Sequence, residues 1–288
     1  MEKIYSVEKD KIMVYDLTQF CIKHILECGQ VFRFVRHREK ENIDIKYCYT
    51  VFSKDKSATI YEYFDRAEIF TTDTSYFINY FDLDKDYNKI KSFLIKDNIL
   101  AQAVSYGYGI RILRQDKLET IISFIISANN NIKRIQKSLF ALCENYGENM
   151  GNYYAFPTID KLKDISVSQF RELGVGFRDN YLVSTIKDLS SIDLECLANC
   201  DTEKLSSTLK QLKGIGQKVA DCIMLFSYYD MNVFPVDTWI KQVYNSFYAS
   251  EKLDNPKQIR KFFTDKFMNY SGYAQQYLFY YKRELSKQ

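Results

Sequence analysis

Histidine, proline and tryptophan are scarce in these 288 residues, numbering two, three and one. His24 and His37 are too few for a histidine-rich metal centre. Cysteine occurs seven times, but never as Cys-x-x-Cys, and none follows Cys222. An iron–sulfur cluster needs closely set thiolates, so none is expected. The odd cysteine count, with no signal-peptide shape in the opening MEKIYSVEKD, points to free thiols in a reducing cytoplasm. No stretch approaches the roughly 18 uninterrupted apolar residues of a membrane span. Neither sign of charge dominates: 40 Lys+Arg against 37 Asp+Glu leave +3. That excludes a strongly basic nucleic-acid coat and still allows a local basic face.

What is abundant is aromatic, with 24 Tyr and 21 Phe. Rings of this kind mostly pack, although they also suit stacking on bases. The first 105 or so residues read mainly as strand. Residues 46–52 (KYCYTVF) and 57–63 (SATIYEY) are β-branched and aromatic, and the charged Lys54, Asp55 and Lys56 between them suggest a hairpin. Apolar spacing predicts one helix over residues 84–97. From about 115 onward the pattern is helical: 118–126, 132–146, 167–173, 205–212, 219–226, 238–248 and 257–267. Each of Pro157, Pro235 and Pro256 falls near a helix boundary. The expected fold is α+β: an N-terminal antiparallel twisted sheet domain over residues 1–110, then a mainly α-helical region over 111–288.

The densest signal is residues 212–222 (LKGIGQKVADC), read as helix, hairpin, helix. Gly214 and Gly216 are expected to supply backbone angles that side chains forbid. The second helix begins near Gln217. Its first amides lack internal partners and carry the positive end of the helix dipole, so a phosphate can dock there without its sequence being read. Lys218 lies in the first turn of that helix, where its amine can serve as a nucleophile. Nineteen residues on stands Asp237. A helix of about twelve residues climbs roughly 18 Å. The extended return segment 230–237 spans about 26 Å, so the carboxylate can come back beside the amine. Pro235 keeps that approach extended, and Asp237 is a natural N-cap for a helix beginning at Thr238. A lone Gly-Ile-Gly turn, a lone lysine or a lone capping aspartate would each mean little. Together, at these spacings, they point to DNA chemistry.

On these residues the chain resembles the helix-hairpin-helix DNA glycosylases, and within them the 8-oxoguanine branch. Four blocks carry the resemblance, in order along nearly the whole chain. In residues 28–33 (CGQVFR) it implies that Gly29 offers a main-chain carbonyl to the hydrogen that 8-oxoguanine, unlike guanine, carries on N7. In 127–134 (SANNNIKR) it implies that Asn129 and Arg134 fill the hole left by the flipped base and contact the orphaned cytosine. In 173–178 (LGVGFR), followed by Tyr181, it makes Phe177 the wedge and sets Arg178 beside Arg134, a pairing that implies cytosine opposite the lesion. In the hairpin and residues 272–279 (GYAQQYLF) it makes Lys218 and Asp237 catalytic. Cys222 and Phe279 then sandwich the base, Gln275 bonds its Watson–Crick edge, and Gly214, Gly216 and Gln217 hold the DNA backbone. The animal members carry a histidine two residues past the aspartate and an acid near the C-terminus, where this chain has Trp239 and Lys282. That departure implies different local packing.

The resemblance therefore implies a bifunctional DNA glycosylase/AP lyase on duplex DNA containing 8-oxoguanine. It would be a monomer without a membrane partner, acting without cofactor at the nucleoid of a prokaryotic cytoplasm. Two alternatives stay open. A related glycosylase for alkylated or other damaged bases would have no need of Lys218. A non-catalytic helix-hairpin-helix module would have no need of Asp237.

Overall fold

The computed structural model describes residues 3–287. Six strands form one antiparallel sheet: β1 (Tyr5–Glu8), β2 (Lys11–Val14), β3 (Phe34–Arg36), β4 (Tyr47–Ser53), β5 (Lys56–Glu62) and β6 (Ala67–Phe70), in the order β1-β2-β6-β5-β4-β3. Alternation sets the buried face: Ile12 and Val14 on β2, Ala58 and Ile60 on β5, Ala67 and Ile69 on β6. The expected hairpin is β4–β5, with Ser53 opposite Lys56 and Lys54 turned left-handed at φ 54. Helix α1 (Ile22–Glu27), between β2 and β3, and α2 (Thr74–Tyr80) supply Ile22, Ile25, Leu26, Phe77 and Tyr80 to the same core.

The expectation of strand to about residue 105 fails after Phe70. Three helices follow: α2, α3 (Tyr87–Leu94) and α4 (Asn98–Tyr106). Each starts on an aspartate whose side chain accepts a first-turn amide: Asp73 from Tyr76, Asp86 from Asn88, Asp97 from Ile99 and Leu100. Caps of this kind switch the chain from strand to helix where the aromatic content alone favours strand. Only α3 falls where a helix was expected.

The remaining helices are α5 (Lys117–Ser127), α6 (Ile132–Tyr146), α7 (Ile159–Leu162), α8 (Val167–Glu172), α9 (Asp179–Leu189), α10 (Thr202–Leu209), α11 (Gln217–Ser227), α12 (Thr238–Val243), α13 (Pro256–Phe267) and α14 (Ser271–Leu285). The helix expected over 238–248 is α12 continued by a π-helical stretch, Tyr244–Tyr248. A second apolar core runs through these helices and takes in Tyr87, Ile90, Leu100 and Ala103 of α3 and α4, with Cys28 and Phe32 from the turn after α1. That turn therefore joins the two cores. Gln30, fully buried, pins it: its amide donates to Ile25 O (2.9 Å) and Arg111 O (2.8 Å) and accepts from Leu113 N (2.9 Å). No described helix is long and apolar enough to cross a membrane.

Candidate active site

The hairpin between α10 and α11 is held from two sides. Leu212 and Ile215 bury their side chains in the helical core. From α9, Thr185 Oγ1 donates to Lys213 O at 2.7 Å, and the Tyr181 ring lies 3.1 Å from where a Gly214 Cβ would stand. Gly214 sits at φ +83, so glycine is required there by both angle and contact. Gly216 differs from expectation. Its φ of −87 is open to any residue, and a Cβ would meet nothing within 4 Å. What its missing side chain leaves is an uncovered helix start, since no side chain caps α11. Gln217 is exposed and ties its side chain across the hairpin, donating to Asp221 Oδ1 (2.9 Å) and accepting from Lys210 Nζ (2.9 Å). Asp221 in turn is paired to Arg260 of α13 at 2.8 Å.

Half-buried Lys218 projects from the first turn of α11, with Nζ 5.6 Å from the centre of the Phe124 ring on α5. One turn on, Cys222 is buried. Burial pushes its thiol up to about 11, with Lys218 pulling the other way. The segment after α11 returns apolar and buried through Val233, Phe234 and Val236. It delivers Asp237 to the start of α12, where the carboxylate caps the helix by accepting from Ile240 N at 2.9 Å. Burial raises the Asp237 carboxyl above its ordinary value, against the Ile240 amide and the Lys218 charge, which lower it. Lys218 and Asp237 are thus electrostatic neighbours. Among the described residues no contact ion pair ties them, so the amine is not locked onto the carboxylate.

Helix α14 packs along α12 and meets α11, where a Gly272 Cβ would collide with Leu225 at 2.4 Å. Gln275 is 5% exposed, and its Oε1 has no hydrogen-bond partner. A buried amide oxygen left unpaired costs about 1–3 kcal/mol, which marks it as a place for a ligand's donor. Phe279, one turn on, brings its ring edge within 3.0 Å of the Gly29 Cβ position. Gly29 is left-handed at φ +89, so only glycine fits both the turn and the ring. Gly29 and Phe279, 250 residues apart in sequence, therefore meet.

Asn129 is exposed at φ 51 between α5 and α6, and Arg134 is exposed on α6, whose start is capped by Asn131. Phe177 is 58% exposed, with the Arg178 guanidinium 4.3 Å from its ring centre. Arg178 itself is buried. It donates to Val175 O (2.8 Å), Asn129 O (2.9 Å) and twice to Ala128 O. Most of its donors thus fix the loop that carries Asn129. Arg134 lies near enough to lower the Arg178 pKa, behind burial as the larger cause. Lys282 rests over Phe247, 5.3 Å from the ring centre.

Sequence reading passed over three residues that shape these sites. Phe124 sits under the lysine. Tyr181 was noted only as following the wedge block, and it abuts the hairpin. Arg283 contacts both Gly29 and Phe279, and was visible only as the next position in the four-residue spacing of Gln275 and Phe279.

Residues 12–121 match the family described as 8-oxoguanine DNA glycosylase, N-terminal domain, and residues 122–268 match the HhH-GPD superfamily base excision DNA repair proteins. A crystal structure of the Clostridium acetobutylicum 8-oxoguanine glycosylase/lyase, bound to double-stranded DNA with cytosine opposite 8-oxoguanine, aligns at 38% identity and a TM-score of 0.90, covering 99% of this chain and 100% of that one. The Saccharomyces cerevisiae N-glycosylase/DNA lyase is 28% identical over 91% of this chain and 83% of its own length. An Archaeoglobus fulgidus 3-methyladenine DNA-glycosylase shares the fold at a TM-score of 0.72 and 17% identity.

Proposed function

The chain belongs to the HhH-GPD superfamily of base excision DNA repair proteins, and we propose that Lys218 and Asp237 are the pair through which it acts as an 8-oxoguanine DNA glycosylase and AP lyase. The observation that carries this reading is a lysine amine acting electrostatically on a desolvated carboxylate at the start of an uncapped hairpin helix. The enzyme works on duplex DNA in base excision repair, in a prokaryotic cytoplasm at the nucleoid. It needs no cofactor.

The α11 start and the Gln217 amide take a phosphate of the lesion strand. Phe177 wedges the stack, and Asn129 and Arg134 occupy the vacated space against cytosine, on a loop that Arg178 braces. The extruded base enters between Cys222 and Phe279. Gln275 Oε1 accepts from its Watson–Crick edge, and the Gly29 carbonyl accepts the N7 hydrogen that guanine lacks. Asp237 takes the proton from Lys218 and passes it on to the departing base, which returns Asp237 to its carboxylate form. The freed amine attacks C1′, a C–N bond forms, and the glycosidic bond breaks with its electrons leaving on the base. Positive charge that builds on the sugar is stabilised by the Asp237 carboxylate. The sugar ring then opens, the C1′–O4′ bond breaking as O4′ takes a proton, to give the Schiff base; loss of a C2′ proton lets β-elimination break the C3′–O bond with the 3′ phosphate as leaving group. Excision and nicking on duplexes carrying 8-oxoguanine opposite each of the four bases test this. The reading expects the fastest turnover opposite cytosine, and no activity on any of the four duplexes overturns it.

A further inference from the structure

We propose that Arg283, with Gln276 beside it, is a positioning residue that presents the Gly29 carbonyl to the extruded base. The proposal rests on the function just given and concerns how that pocket keeps its acceptor in place.

The carbonyls on either side of Gly29 are taken. Ile25 O accepts from Gln30 Nε2 and Gln30 O from Gln115 Nε2, both within the turn's own anchoring. The two peptides immediately before Gly29 are gripped from α14 instead: Arg283 Nη2 donates to Glu27 O, and Gln276 Nε2 donates to Cys28 O at 2.8 Å. Among the described residues nothing donates to Gly29 O. One acceptor in this turn is thus left open while its neighbours are clamped.

Arg283 does more than hold a carbonyl. It is 8% exposed, its guanidinium centre lies 5.5 Å from the Phe279 ring centre, and Nη1 lies 3.0 Å from the Gly29 Cβ position. Nη1 is buried without a partner. Glu284 pairs with the group at 3.0 Å, offsetting part of the cost of burying its charge. Gln275, Phe279 and Arg283 stand four apart on one face of α14, so the same face offers the base an acceptor, a ring and the clamp behind Gly29. A planar fork can bond a carbonyl and lie against a ring together, which a lysine ammonium does less well.

A clamp that serves only base recognition predicts a split between two activities of one protein. Cleavage at a preformed abasic site needs Lys218 and has no base to recognise; excision of 8-oxoguanine needs both. In Arg283→Met, single-turnover excision opposite cytosine should fall by roughly tenfold or more, as expected when an acceptor drifts by a fraction of an ångström. The preference for 8-oxoguanine over guanine should fall with it. Cleavage of abasic duplex should stay within about twofold, since the lysine's surroundings are untouched. Arg283→Lys should recover part of the excision loss. If Arg283→Met does not fold, Gln276→Met removes the second grip and carries the same expectations. Excision within about twofold of the parent, or both activities falling together in a folded variant, overturns the proposal. A parent protein that leaves 8-oxoguanine duplex intact sinks the function instead.

Discussion

The hairpin that carries Lys218 and the wall that carries Gly29 are assembled in opposite ways. The hairpin is local: Gly214, Lys218 and Asp237 lie within one helix-turn-helix-return of the chain. The wall is remote: the bond from Gln276 to Cys28 O closes 248 residues, and the Gly29–Phe279 contact is of the same order. Chemistry that must hold one amine near one carboxylate can be written into a short segment. Selecting among bases needs groups on opposing walls, and here those come from the two ends of the molecule.

The comparison can be broken most sharply at Asp237. Asp237→Asn keeps a capping side chain and removes the charge beside the lysine, so base excision should fall by about 10²–10³ in a single-turnover assay. A variant with parental rate contradicts the local half of the account. Next comes Gly29→Ala, which meets Phe279 and a forbidden φ together. It should lose about 1–3 kcal/mol in a denaturant melt and lose excision more than abasic-site cleavage. Gly216→Ala, with an ordinary φ and open space, should stay within about 0.5 kcal/mol of the parent in stability. Weaker duplex binding by that variant, measured by fluorescence anisotropy, would sharpen the assignment of a phosphate to the helix start; parental binding would remove it.

A subtler effect is in pH. Folding raises the Asp237 carboxyl, chiefly by burial. A group raised in this way gives stability that is present below its unfolded value and lost as pH rises through its folded value. Asparagine does not titrate. The difference in melting temperature between Asp237→Asn and the parent should therefore shift toward the variant as pH climbs through and above the carboxylate range. A pH-independent difference contradicts the desolvated carboxylate. Exposed Arg134 tests the opposite-base side of the account. Arg134→Ala should erode preference for opposite cytosine by about 1–3 kcal/mol or less, read from excision rates on the four duplexes. Unchanged preference removes its assigned role.

Legibility in the sequence followed the same division. Gly214, the uncapped helix start, the returning segment and the Asp237 cap could all be read from spacing, because each is settled within a few turns of chain. Gly216 was over-read, since a Gly-x-Gly pair does not say which glycine bears the left-handed angle. The sheet was legible from β4 and β5, but α2 was not, because its aromatic and β-branched content hides a helix that Asp73 starts; α4, which Asp97 starts, carries the good helix formers Leu100, Ala101 and Ala103 and was overlooked beside the strand pattern before it. Gly29, Asn129 and Phe279 were named only through family resemblance. Arg283 was missed because no local rule links residue 283 to a turn at residue 29. Arg178 was expected to face cytosine, and most of its donors instead hold the Asn129 loop.

The most direct measurement is borohydride reduction of the protein mixed with 8-oxoguanine duplex, followed by peptide mapping of the adduct. The account predicts one covalent DNA adduct, on Lys218, absent from Lys218→Gln even though that variant still binds the duplex. An adduct on any other amine, or one that survives in Lys218→Gln, contradicts it.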